Sequence, residues 1–180
     1  IYDDLSTQET DTIMISGEEV QIVSNTNLGR VRVYGFSAQI QWQISSKLQY
    51  SGALTLTKGD GNKLSGNLPS ISPLFTAQKL ELNLKKGSLE LDWNFARSKH
   101  PNTYSPWGED GLEETPLLAD GSYAGTPAWH HFDIQFAYPI NTSFNLSGGV
   151  FNLFDIHYRE FASGISVPGR SLKLVLRYQL

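Results

Sequence analysis

The chain has no cysteine among its 180 residues, which removes disulfide frameworks, thiolate metal sites and cysteine nucleophiles. It is also poor in charge. Asp, Glu, Lys and Arg together make up 18%, below the usual quarter, so a charged disordered tail is excluded. A formal net charge of −4 argues against nucleic acid as a partner, because affinity for a phosphate backbone rests on Lys and Arg. No apolar run approaches the roughly 18 residues of a membrane-spanning helix. The first residues, Ile1-Tyr2-Asp3-Asp4, lack the basic start and apolar core of a signal peptide. Neither absence bears on a membrane β-barrel. Catalytic signatures are missing too: there is no G-x-S-x-G, no H-E-x-x-H and no phosphate loop. The chain is therefore not read as an enzyme, and its length suits one domain.

What the sequence does have is alternation with a period of two. Leu172, Leu174, Leu176, Tyr178 and Leu180 share one face, against Ser171, Lys173, Val175, Arg177 and Gln179 on the other. A helix would scatter those leucines around its circumference, whereas a strand sets them in one row. The pattern repeats over Tyr34 to Ile44, Leu48 to Leu56, Leu80 to Leu84, Leu89 to Phe95 and Phe132 to Tyr138. An all-β chain of seven or eight strands follows.

The connections are of two kinds. Ser45-Ser46-Lys47, Lys85-Lys86-Gly87-Ser88 and Asn141-Thr142-Ser143 are short and read as hairpins. Longer polar connections run from about Lys58 to Pro73, Ser98 to Pro127 and Ile156 to Pro168. In an up-and-down meander, short turns then share one rim and long loops the other, the pattern of an outer-membrane barrel. The runs Arg30 to Ser45, Lys47 to Lys58, Pro127 to Ile140 and Arg170 to Leu180 exceed the usual 5–6 residues and suit a tilted strand crossing a bilayer in about 9–11. Trp42, Tyr50, Tyr138, Phe144 and Tyr178 cluster near the short turns or the C-terminus, where an aromatic belt would sit. A soluble β-sandwich or a lipocalin-like binder would show similar alternation, and the sequence does not say which face points inward.

The C-terminal third resembles the end of TonB-dependent outer-membrane receptors. The stretch Asn152-Leu153-Phe154-Asp155-Ile156-His157-Tyr158 is similar to that family's N-L-F-D-x-x-Y. Pro168-Gly169-Arg170 is similar to its entry into the last strand. Upstream, Asn25-Thr26-Asn27 followed by Val33-Tyr34-Gly35-Phe36, and Tyr50 to Lys58 followed by Pro69 and Pro73, fit the same order. Phe161 to Ser166 resembles members from Bacteroidota. The chain departs in ending on Leu180 in place of Phe, and in showing neither a plug nor a TonB box.

The resemblance implies an antiparallel up-and-down transmembrane β-barrel, of which residues 1–180 form the C-terminal portion of about 22 strands. It implies the outer membrane of a Gram-negative bacterium, and active import of a scarce nutrient such as a siderophore, haem or cobalamin. It names as partners membrane lipid, the N-terminal plug, TonB, a small-molecule nutrient and the outer-membrane assembly machinery, which would recognise the final strand. Ile1 to Leu5 would then be the end of a truncated strand. The alternative is a complete eight-stranded barrel acting as an adhesin or anchor. A mature species of about this length would favour that alternative, and one several times longer the receptor.

The loop from Pro101 to Asp110 is the expected ligand-contact segment. Tyr104 and Trp107 supply stacking surface, and Glu109 and Asp110 supply charge, since long loops on a rigid scaffold commonly carry recognition. With Glu113 and Glu114 this acidic cluster lacks the order of a calcium loop. No cofactor and no metal site is expected. His100 and His157 fall in loops, and adjacent His130 and His131 point to opposite faces of a strand. Asp133 shares the His131 face at i, i+2, about 7 Å along the strand, too far for a direct hydrogen bond without bending. Gly148-Gly149 marks a bend or a close backbone approach. Asn152, Asp155 and Arg170 are placed to cap strands or to order the loop between them.

Overall fold

In a computed structural model, which describes residues 2–61, 66–106 and 108–179, the chain forms one eight-stranded antiparallel meander in sequence order. The strands are β1 (Tyr2–Ile15), β2 (Glu18–Gln43), β3 (Leu48–Asp60), β4 (Phe75–Asn83), β5 (Ser88–Ala96), β6 (Trp129–Pro139), β7 (Phe144–Phe151) and β8 (Ser171–Tyr178). Short 3-10 turns at Pro101–Thr103 and Leu112–Glu114 lie in the long β5–β6 loop. The sheet does not close on itself: among the described residues β8 pairs with β7, and β1 with β2.

Because side chains alternate across a strand, register alone sorts the residues into two faces. One row of register partners runs Trp42, Tyr50, Leu80, Leu91, Ile134, Val150, Leu172. The neighbouring row on the opposite face runs Gln43, Gln49, Glu81, Glu90, Gln135, Gly149, Lys173. The apolar face lies open: Leu172, Leu174 and Leu176 are 82%, 72% and 60% exposed, and Phe36, Ile40 and Trp42 are exposed with them. A soluble sandwich would bury these residues against a second sheet. The rows also climb. Trp42 stands near the short-turn end of β2, whereas its row reaches β8 at Leu172, near the long-loop end. That stagger is the tilt a sheet needs to curl into a barrel wall.

On the polar face the side chains bond to one another. Lys79 Nζ lies 2.9 Å from Glu90 and 3.7 Å from Asp92, and Gln135 Nε2 donates to both carboxylates. At the short-turn rim the Phe144 and Tyr178 rings meet at 5.0 Å on the apolar face. Higher on that face, Trp93 stacks with Phe132 and His130, both at 6.0 Å.

Gly148 and Gly149 allow close strand approach. A Cβ on Gly148 would lie 2.5 Å from the Lys173 carbonyl oxygen, and one on Gly149 2.6 Å from that of Ile134.

The first two strands differ from the expectation. The alternation makes Arg30 the start of β2, and the family resemblance makes Ile1 to Leu5 the end of a truncated strand. Instead one strand runs over Tyr2–Ile15, and β2 extends over 26 residues. The two turn through Ser16 and Gly17, whose φ of 54° and 89° match a two-residue hairpin turn. β1 pairs with β2 only from Glu18 to Val31, and β3 takes over from Arg32. The pair therefore runs past the rest of the sheet as a ribbon. Its tip shows Ile13, Ile15, Val20 and Ile22 on one face, but Glu18, opposite Ile15, shares that face and breaks the pattern. The short turn at Ser16-Gly17 thus lies at the long-loop rim, where length is carried in strands instead of in a loop.

Candidate functional site at the long-loop rim

A one-layer wall has no interior, so its long loops supply the buried core. Leu68, Lys99, Tyr104, Ser105, Asp110, Thr126, Trp129 and Asn152 are all buried. They come from the β3–β4, β5–β6 and β7–β8 connections and the strand ends beneath them.

Lys99 sits where the three loops meet. Its Nζ donates to the Ile71 carbonyl at 2.5 Å, lies 3.7 Å from Asp110 and rests over the Phe161 ring at 4.2 Å. Burial pushes its ammonium pKa down, and the Asp110 charge opposes that. Asp110, only 2% exposed, also accepts from the Ser70 N–H at 2.7 Å and the Ser105 N–H at 3.2 Å. Asn67 Nδ2 donates to the carbonyls of Asn102 and Tyr104.

The expected ligand-contact residues have separate surroundings. Tyr104 is buried, with its hydroxyl 2.5 Å from the Thr126 Oγ1 and accepting the Thr126 N–H. Asp110 is buried beside Lys99. Glu109 is exposed and accepts from Ser105 Oγ. Trp107 lies outside the described residues, as does Leu180 of the final strand. Tyr104 and Asp110 thus face protein, and both hold loop to loop.

The N-L-F-D stretch ties β7 to the start of β8. Asn152 and Asp155 adopt φ of 51° and 55°, the left-handed region in which Asn and Asp are enriched. Asn152 Nδ2 donates to the carbonyls of Ile156 and Pro168, and its Oδ1 accepts the Ile156 N–H. Asp155 Oδ1 accepts the Arg170 N–H at 2.7 Å, and Arg170 Nη1 reaches the Leu153 carbonyl at 3.5 Å. Gly169 packs against Asp155, where a Cβ would lie 2.9 Å from Oδ1. Phe154 turns to the apolar face and meets Phe132 edge-on.

Tyr158 closes the motif. Its ring stacks on Trp129 at 4.2 Å, and its hydroxyl lies 2.6 Å from His131 Nδ1. Burial, with the charges of Glu160 and Asp133, pushes that hydroxyl up to about 12. His131 Nε2 in turn lies 2.6 Å from Asp133 Oδ1, which also accepts the Asn152 N–H. This corrects the expectation that His131 and Asp133 stand too far apart to bond. The 7 Å separation applies to their backbone positions, and two long side chains leaning toward each other close it. His130 points the other way, accepting from Trp93 Nε1 at 3.2 Å.

Beside Trp129 and Tyr158 the loops enclose a cavity of about 310 Å³. On its rim Arg159 binds Glu114 at 3.0 Å, through both the carboxylate and the carbonyl. The sequence offered no sign of Lys99, Trp129 or the Glu114–Arg159 pair. Their partners lie up to 45 residues away, and no local spacing encodes such contacts. Among the described residues, no group of three or more His, Asp or Glu side chains is placed to hold a metal ion.

A staggered amphipathic meander with exposed aliphatic rows, capped by packed loops at one rim, defines the wall of a membrane-type β-barrel. The chain belongs to the TonB-dependent receptor-like β-barrel family, whose model matches residues 2–153. Solved structures share the fold. The copper transporter OprC matches with a TM-score of 0.70 at 21% identity, over 87% of this chain and 24% of its own. A point variant of the ferric enterobactin receptor PfeA from Pseudomonas aeruginosa matches at 0.69 and 18%, over 98% and 27%. The siderophore receptor PirA from Acinetobacter baumannii matches at 0.65 and 14%, over 98% and 27%. The chain thus spans about a quarter of the length of these structures. No curated protein matches it significantly.

Proposed function

We propose that residues 1–180 form the C-terminal wall of a larger outer-membrane barrel that imports a scarce nutrient with energy delivered through TonB. The observation that carries this reading is the family match over 2–153. The wall's open edges support it as well: β2 from Arg32 to Gln43 has no partner on its β1 side among the described residues, and a complete eight-stranded barrel would need β8 bonded to β1. In this reading the exposed leucines of β8 and their neighbours face lipid. A plug from the rest of the receptor sits against the polar face, and the assembly machinery recognises Leu172 to Leu180. The matched structures include a copper transporter and siderophore receptors, so a metal or a metal chelate leads the substrate classes. The cap built from Pro101 to Asp110 and its neighbours shapes the entrance, with exposed Glu109 available to touch cargo, Trp107 a cargo contact on the strength of its place in the sequence, and Tyr104 and Asp110 holding the loop in place.

Uptake assays test this. A strain lacking the gene is compared with one carrying it, using labelled siderophore–iron, haem, cobalamin and copper. Uptake of one substrate is expected to fall on deletion, to return with the gene and to stop when an uncoupler collapses the proton gradient. Uptake of every substrate unchanged by deletion, or indifferent to the uncoupler, refutes the reading.

A further inference from the structure

Charge on the apolar side of the wall is confined to one rim. From Phe36 to Trp42 on β2, from Leu48 to Leu56 on β3 and throughout β4 to β8, the positions sharing that face carry no Asp, Glu, Lys or Arg. At the short-turn rim the face ends in aromatic residues, among them Trp42, Tyr50, Tyr138 and Tyr178. At the long-loop rim it ends in cations. Arg32 and Lys58 continue it where the β2–β3 pairing stops, with Lys58 opposite Tyr34 and Arg32 opposite Asp60. Arg97 continues it two residues past Phe95, its N–H bonded to the Leu74 carbonyl at 2.9 Å. All three cations are exposed, and among the described residues none of them forms an ion pair.

That asymmetry selects the partner. Tyr and Trp suit the interface of any bilayer, whereas Lys and Arg on a lipid-facing surface are tolerated only near its edge. Anionic headgroups turn that tolerance into attraction, by about fivefold in affinity for each cation. The rim also offers room. Lys58 and Arg97 line a hollow of about 560 Å³ together with Leu56, Leu74 and Pro73. Leu56 pairs with Phe36 in the apolar rows, so cationic and aliphatic surfaces meet in one place, as phosphate and acyl chain do in a lipid. Asp60 is the one carboxylate on that lining, which leaves Arg32, Lys58 and Arg97 in excess.

We propose that Arg32, Lys58 and Arg97 bind the phosphate of an anionic lipid headgroup in the leaflet at the long-loop rim, with its acyl chains along the apolar rows beneath. The proposal rests on the reading that this face touches lipid, and adds which lipid it holds at one rim.

The test uses the full receptor in phosphatidylcholine bilayers, with a bimane fluorophore on a single cysteine. Phe36→Cys places it beside the cations, and Leu84→Cys places it at the opposite rim. The contact quenchers are 5-doxyl phosphatidic acid and 5-doxyl phosphatidylcholine. At Phe36→Cys the acidic lipid is expected to half-quench at about 25-fold lower mole fraction, fivefold for each of two net charges. At Leu84→Cys the two lipids should quench alike. Arg32→Gln combined with Lys58→Gln should bring the preference at Phe36→Cys to about onefold, and Asp60→Asn should raise it about fivefold. Raised salt should weaken it, since exposed charges are screened. Equal quenching by the two lipids at Phe36→Cys overturns the proposal. So does an equal preference at both rims, or one that survives the double substitution. Quenching by neither lipid at Phe36→Cys, with both effective at Leu84→Cys, puts a protein on this patch and overturns it too. No quenching at either position removes the lipid-facing reading itself, so the two failures are told apart.

Discussion

Replacing Asp110 by Ala removes the carboxylate on which the loop cap converges. In the native cap it accepts from Ser70 and Ser105 and faces Lys99 at 3.7 Å, with Asp110 and Lys99 only 2% and 6% exposed. Ser70 is exposed, so its N–H gains water and adds little. The ion pair dominates. Removing one partner of a buried pair costs about 3–5 kcal/mol, because the other charge stays buried and uncompensated. Lys99 keeps the Ile71 carbonyl, which sets the expectation at the lower end, about 3 kcal/mol. That raises the open population of the cap by about 100-fold. The assay is native-state hydrogen exchange on the whole receptor, following amides in the β3–β4 and β5–β6 loops, since local opening is reported segment by segment. Those amides are expected to exchange about 100-fold faster, with the strands unchanged. Lys99→Met combined with Asp110→Asn removes both charges and should bring exchange back to within about tenfold of native. Loop exchange within twofold of native in Asp110→Ala would refute the reasoning.

Further expectations concern the wall and the buried lysine. Gly148→Ala forces a Cβ to within 2.5 Å of the Lys173 carbonyl and 3.1 Å of Leu174 and Phe136 side-chain carbons. It should cost about 1–3 kcal/mol of overpacking, seen as a lower melting temperature in detergent; an unchanged melt contradicts it. Leu174→Arg on the apolar face should cost about 2–4 kcal/mol if it faces the bilayer midplane and cut the yield in membranes, whereas Lys173→Leu on the opposite face should not. Equal yields would contradict the assignment of faces. Lys99 carries a depressed pKa in the closed cap. Below that value both open and closed forms hold the proton, and the closed form bears the full desolvation cost. As pH rises from there toward 10.5, the open form retains a proton that the closed form has lost, so closure gains stability with pH. Loop exchange corrected for intrinsic rate should slow relative to the strands across that window, and Lys99→Met should abolish the trend. A trend that persists in Lys99→Met removes Lys99 as its source.

The wall was readable because lipid-type burial imposes a period of two on every strand that experiences it. Leu172 to Tyr178 and Leu89 to Phe95 announce their faces without help from any neighbour. The three hairpins at Ser45, Lys85 and Asn141 were readable for a related reason, since turn residues interrupt the alternation. The β1–β2 ribbon was not. Asp3, Asp4, Glu9 and Asp11 interrupt the alternation there, so no apolar face marks the strand in the sequence. The cap was hidden for a different reason. Lys99 and Asp110 are charged residues in Gly- and Pro-rich loops, where composition predicts solvent. Only tertiary contact with Ile71, Ser70 and Phe161 makes their burial tolerable. The N-L-F-D-x-x-Y stretch lay between the extremes: its spacing marked it, while the bonds from Asn152 to Ile156 and Pro168 required coordinates.

The central claim is that the exposed aliphatic rows touch lipid while the alternate rows line an enclosed polar space. The absence of cysteine from these residues makes the test direct. Single cysteines are placed in turn from 171 to 177 of the full receptor, spin-labelled and reconstituted in bilayers. Collision with dissolved oxygen, which concentrates in lipid, is compared with collision with a polar nickel chelate. The account predicts that labels at Leu172→Cys, Leu174→Cys and Leu176→Cys favour oxygen and that Lys173→Cys and Val175→Cys do not, a swing at every residue. A flat profile, or one with the two faces exchanged, would contradict it.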